Sequence, residues 1–85
     1  MDRHFTMWIK IDCPFCVEAK DELFKQKVSH TIHVMDEKLE GLEEIKKAFN
    51  HFTVPIIIVE DETRSIQLVG GYTELKKWFS GKSDD

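Results

Sequence analysis

Two cysteines, Cys13 and Cys16, stand three residues apart with Pro14 and Phe15 between them. A thiolate is the sulfur species that attacks a disulfide at a useful rate. Two thiols this close can pass a disulfide between themselves and a partner. A structural staple fits poorly, because closing so short a loop removes little entropy from the unfolded chain. A zinc site also fits poorly, because it needs four ligands. His4, His30, His33 and His51 are scattered without paired ligand spacing and read as ordinary strand or surface histidines. Two inert core thiols are the remaining alternative, since free cysteine packs as a small hydrophobe.

The neighbours of the pair favour chemistry. Phe5, Met7, Ile9 and Ile11 alternate with Thr6, Trp8, Lys10 and Asp12, which predicts a first strand. Cys16, Ala19, Leu23 and Val28 then recur at helical spacings, with Phe24 widening the stripe. Glu18, Lys20, Asp21 and Lys25 fall on the other side, and Pro14 suits a first helical turn. The cysteines therefore open a helix directly after a strand. A helix N-terminus offers unpaired N–H groups and about half a positive charge, both favouring an anion. Cys13, at the mouth, is predicted to be the exposed, low-pKa nucleophile. Cys16, one turn in, is predicted to face inward and act as the resolving thiol. Lys10 adds positive charge near this point, whereas Asp12 opposes thiolate formation.

The rest of the chain must hold this corner in place. Residues 29–35 read as a second strand and 36–41 as polar and turn-like. Leu39, Leu42, Ile45, Phe49 and Phe52 mark a second amphipathic helix. The run 54–59 is nearly all apolar, as in a strand covered on both faces. A turn at 60–63 leads to a fourth strand at 65–69, and Gly70-Gly71 breaks the chain. Leu75, Trp78 and Phe79 mark a short last helix, with the two aromatics read as core. The order β-α-β-α-β-β-α predicts an α/β fold: a four-stranded mixed sheet flanked by three helices. Its first strand pair is parallel and its last two strands form an antiparallel hairpin. Residues 1–80 are read as a single domain, and 81–85 as a short tail that frays.

Composition narrows the class. The chain has 85 residues, 41% of them apolar, enough for one small core. A net charge of -4 argues against a general nucleic-acid binder, which must neutralise phosphates. No apolar run approaches the roughly 18 residues of a membrane-spanning helix. The first five residues lack an apolar signal segment. The expectation is a soluble, cytoplasmic monomer.

Three separated motifs then agree in order and spacing. They are Lys10-Ile11-Asp12-Cys13-Pro14-Phe15-Cys16, then Thr53-Val54-Pro55, then Gly70-Gly71-Tyr72-Thr73-Glu74-Leu75. Together they resemble the glutaredoxin family, of dithiol type, within the thioredoxin fold. The resemblance implies glutathione as reducing co-substrate, with no bound cofactor and no metal. It implies a cis bond before Pro55, opposite Cys13, that leaves the Val54 backbone free to pair with a substrate. Thr53 opens that segment. It implies that Lys10 binds the glycine carboxylate of glutathione and that Phe15 packs beside the substrate sulfur. Gly71, Tyr72 and Thr73 would hold the γ-glutamyl end.

Two positions depart from the family pattern. Thr73 stands where the family often has an acid, with Glu74 beside it. Phe52 stands where the family often has Arg or Gln. The implied function is reduction of protein disulfides or glutathione mixed disulfides by dithiol exchange. Disulfide-containing proteins are the implied clients, and ribonucleotide reductase is a common one in the family. The alternatives are a small redoxin reduced directly by thioredoxin reductase, and a non-catalytic binding or iron-sulfur carrier module. Pro14 and the second thiol at Cys16 argue against the carrier, which in this family typically presents one cysteine followed by Gly.

Overall fold

The structure, a computed structural model, describes residues 3–81. It contains β1 (His4–Ile9), α1 (Pro14–Gln26), β2 (Ser29–Val34), α2 (Leu39–Phe49), β3 (Ile56–Glu60), β4 (Ile66–Gly70) and α3 (Tyr72–Gly81). The strands form one mixed sheet in the order β2-β1-β3-β4. β1 runs parallel to β2 and antiparallel to β3, and β3 runs antiparallel to β4. This is the thioredoxin-like arrangement that the element order predicts. Of the expected tail, Gly81 closes α3, and 82–85 lie outside the described residues.

Side-chain alternation explains the layers. Phe5, Met7 and Ile9 of β1, with Ile57 and Val59 of β3, turn to one face of the sheet. There they meet Cys16, Ala19 and Leu23 of α1 and Leu75 of α3. Fully burying one such large side chain contributes about 1.5–3 kcal/mol. Trp78 and Phe79 pack on the same cluster, with the Phe79 and Phe5 ring centroids 5.5 Å apart. On the opposite face, Ile56 joins Met35 and Leu42, with Trp8 and Ile45 against them. Ile56 to Val59 are all buried, as expected of a strand covered on both faces.

Several expectations need correction. β1 ends at Ile9, and Ile11 lies beyond it, 70% exposed. The Ile11 N–H instead donates to the Asp36 carboxylate at 2.9 Å, which ties the loop before Cys13 to the end of β2. Phe24 does not widen the buried stripe of α1. It is 63% exposed and lies edge-on to His30. Phe52 lies beyond α2, which stops at Asn50 in the left-handed conformation (φ 53°). Gly41, read as part of a turn, lies within the first turns of α2.

The chain turns sharply where β4 meets α3. Gly70 has φ +121°, and a Cβ there would lie 2.9 Å from Glu74 Cβ and Cγ. A side chain at this position meets both backbone strain and a clash. Gly70→Ala is therefore expected to cost about 1–3 kcal/mol, read as a lower urea midpoint with an unchanged slope.

Candidate active site

The site forms where β1 hands over to α1. Cys13 is the N-cap of α1 in extended conformation (φ -123°, ψ 108°), and Pro14 follows at the first helical position. Proline fits there because the first-turn N–H has no intrahelical partner. The Cys16 N–H donates to Cys13 Sγ at 3.1 Å. The sulfur thus takes the place that a serine or aspartate oxygen usually fills at a cap. An N–H aimed at sulfur, with the helix dipole behind it, stabilises negative charge on that sulfur.

The two thiols have opposite surroundings. Cys13 is half-buried at the mouth, whereas Cys16 is 0% exposed. Burial pushes the Cys16 thiol up to about 12. Its hydrogen bond to Cys13 and the charge of Asp36 add to the rise, while the Lys10 backbone N–H opposes it. Cys16 therefore keeps its proton at neutral pH and donates toward Cys13. Asp12, weighed in the sequence as a charge beside Cys13, is exposed, and Asp36 is a second carboxylate whose charge acts on the inner thiol. Asp36 comes from the far end of β2, so no local pattern around the cysteines identifies it.

The second side of the site comes from the segment before β3. The Val54–Pro55 peptide bond is cis. The Val54 carbonyl faces Cys13 Sγ at 3.8 Å. A groove of about 330 Å³ opens beside this contact. Its lining includes Phe15 from α1, Thr53, Val54 and Pro55 from the cis-proline segment, and Tyr72 and Thr73 from α3. Phe15 stacks on Tyr72 with ring centroids 6.2 Å apart, yet remains 60% exposed. Two distant motifs of the sequence thus meet in one aromatic wall.

At the start of α3, the Gly71 carbonyl accepts the first helical bond, from the Leu75 N–H. Glu74, three residues on, reaches back so that its Oε1 accepts the Gly71 N–H at 2.8 Å. This is the return half of a capping box. The bond holds the Glu74 carboxyl below its ordinary value of 4.5. Gly71 and Glu74 both line the groove.

Of the residues singled out from the sequence, the structure brings Phe15, Thr53, Val54, Pro55, Gly71, Tyr72 and Thr73 to one groove beside Cys13. Lys10 does not line it; that residue is half-buried in the connection between β1 and α1. His51 does line it, although the sequence marked it only as an ordinary histidine. Its position two residues before Thr53 was the available signal. Among the described residues, no group of three His, Cys, Asp or Glu could hold a metal ion. No helix among them is long and apolar enough to cross a membrane.

Comparison with known proteins agrees with this geometry. The family model named Glutaredoxin matches residues 5–63. The dithiolic glutaredoxin of Trypanosoma brucei brucei superposes with a TM-score of 0.69 at 30% identity, over 94% of this chain and 81% of that one. E. coli glutaredoxin superposes with a TM-score of 0.59 at 25% identity, over 96% and 99%. Glutaredoxin 1 of Francisella tularensis shares the fold, with a TM-score of 0.66 at 22% identity, over 98% and 99%. Comparison with curated protein sequences returned no match. The family match covers most of the chain and includes the Cys13-Pro14-Phe15-Cys16 corner, so this chain belongs to the glutaredoxin family and is a dithiol thiol-disulfide oxidoreductase.

Proposed function

We propose that this oxidoreductase draws its electrons from glutathione and that its groove binds the glutathione part of a mixed disulfide. The observation that carries the reading is the groove itself, which runs from Phe15 and Val54, the residue that Cys13 Sγ contacts, to the N-terminus of α3. An extended peptide can pair with the Val54 backbone as an added strand. Phe15 and Tyr72 pack against its sulfur-bearing residue. The free N–H groups around Tyr72 and Thr73 suit the α-carboxylate of the γ-glutamyl end. Gly71 lets the ligand approach the backbone closely. Thr53 and Pro55 complete the wall. Lys10 reaches the glycine carboxylate from outside the groove.

The exchange runs in two displacements. The Cys13 thiolate attacks the glutathione sulfur of a client–glutathione mixed disulfide. That S–S bond breaks, the client leaves as a thiolate, and Cys13 carries the glutathione. A second glutathione thiolate then attacks the bound glutathione sulfur, releasing glutathione disulfide and the Cys13 thiolate. For a protein disulfide, Cys13 attacks one client sulfur and frees the other as a thiolate; Cys16 gives up its proton and attacks Cys13 Sγ, the client leaves as a dithiol, and two glutathiones reduce the resulting Cys13–Cys16 disulfide with release of glutathione disulfide. Disulfide-containing proteins and glutathionylated proteins are the clients of this scheme.

The deciding experiment is coupled reduction of a glutathione mixed disulfide. NADPH, glutathione reductase and glutathione are expected to sustain turnover. NADPH with thioredoxin reductase alone is expected to give only background. Turnover in the second mixture and not in the first overturns the glutathione assignment.

A further inference from the structure

A second cavity, of about 480 Å³, lies beside the exchange groove. Its lining includes Arg3, just before β1, with Glu74, Lys77 and Trp78 of α3. Glu74 also lines the groove, so the two hollows share a wall. Lys77 and Trp78 follow Glu74 by three and four positions, about one helical turn at roughly 1.5 Å per residue. Residues at these spacings fall on one face of a helix. The cavity therefore continues the groove along α3, toward the start of β1.

The charge of this hollow differs from that of the chain. The whole chain carries -4. The described lining sets two cations, Arg3 and Lys77, against one carboxylate, Glu74. Glu74 Oε1 already accepts the Gly71 N–H at 2.8 Å. Asp61, an acid that feels the Arg3 charge, has its Oδ1 taken by Thr63 and Ser65. Among the described residues the ion pairs are Lys25–Glu22 and Lys46–Glu43, and neither Arg3 nor Lys77 joins one. The Arg3 guanidinium lies over the Trp78 ring, 5.9 Å from its centroid. That contact steadies the charge. It does not satisfy the N–H fork as a carboxylate does. Lys77 is exposed and presents three donors.

We propose that this cavity docks an acidic segment of the client protein, one that runs on from the reacting cysteine past the groove and sets its carboxylates against Arg3 and Lys77. Half-buried Trp78 gives an apolar wall for a neighbouring side chain. Two observations select this occupant. The shared wall at Glu74 means that a chain held at Cys13 reaches the cavity already tethered, at high effective concentration. The surplus of positive charge favours acidic side chains locally, where the charge of the whole molecule repels them. Exposed charges of this kind choose partners and speed encounter more than they add affinity. The inference stands on the dithiol exchange and does not depend on glutathione being the electron donor.

The test starts from protein reduced beforehand, so the electron donor plays no part in it. Peptides carry one cysteine as a mixed disulfide with a chromogenic aryl thiol. Cys13 attacks the peptide sulfur, the S–S bond breaks, and the aryl thiolate leaves and is read by its colour. Each peptide bears an arm of about six residues, ~20 Å of extended chain, rich in Glu, Gln or Lys. The arm is placed on either side of the cysteine in turn. Rates are divided by those with mercaptoethanol, which removes the peptides' own reactivity. At low salt the Glu arm, on one side, is expected to react about fivefold faster than the Gln arm, and the Lys arm slower than both. The advantage is expected to vanish near about 1 M salt, where screening acts within about 3 Å. Arg3→Glu combined with Lys77→Glu is expected to reverse the order. Lys38→Glu makes the same kind of charge change at the start of α2, whose Leu42 packs on the other face of the sheet, and is expected to keep the order. A peptide without an arm is expected to react at the parent rate in each variant, which reports an intact fold and an intact Cys13. Gln or Lys arms that match or outrun the Glu arm on both sides overturn the proposal. So does a Glu advantage that the double variant retains, or one that Lys38→Glu abolishes equally.

Discussion

Cys13→Ser is expected to reduce turnover of both protein disulfides and glutathione mixed disulfides to the uncatalysed background. The reason is local. The N-cap position aims the Cys16 N–H at one atom, 3.1 Å away, and that atom is the sulfur that must carry the negative charge. A serine oxygen can accept the same bond and keep the helix capped. It does not ionise near neutral pH, and it cannot form a disulfide. The variant should thus remain folded and inactive. Coupled assays on both substrate types, beside a urea unfolding curve, check the two halves of the statement. Activity in the folded variant would remove Cys13 from the nucleophile role.

Cys16→Ser is expected to split the two activities. Reduction of protein disulfides should fall to background, because the released client needs a second thiol from the enzyme. Turnover of glutathione mixed disulfides should stay of the same order as in the parent. Cys16 is buried and its thiol is pushed up to about 12, so it is a poor attacking group in the resting protein. Glutathione arrives from solvent and needs no help from it. The N–H that supports Cys13 belongs to the backbone of residue 16 and survives the substitution. Side-by-side rates on a glutathionylated peptide and on a protein disulfide read the split directly. Loss of both activities with the fold intact would mean that Cys16 resolves every substrate.

Much of this site was legible because its signals are local. The strand alternation from Phe5 to Ile9, the proline after Cys13 and the helical spacing of Cys16, Ala19 and Leu23 fix where the thiols stand. The apolar run before Glu60 likewise marks the central strand. What stayed hidden depends on where distant segments meet. Ile11 continues the alternation in sequence, yet its N–H is taken by Asp36, and the strand stops before it. Phe24 fits the apolar stripe by number, but that side of α1 faces His30 and solvent. Phe52 fits the spacing of α2, yet Asn50 and the cis-proline segment carry it off the helix. His51 carries no motif at all, and it shares a groove with Gly71 and Glu74 only once β4 has turned into α3.

The unequal exposure of the two sulfurs also decides how the protein ages. Oxidants such as peroxides act on an accessible thiolate and can carry it past sulfenic acid to forms that glutathione does not reverse. In the folded protein Cys13 is open to that damage, while Cys16 is covered by the core. Cys16 also stands within reach of a sulfenic acid on Cys13 and can condense with it to a disulfide. The same short spacing that serves turnover therefore gives Cys13 a repair route, with the buried partner kept intact for it.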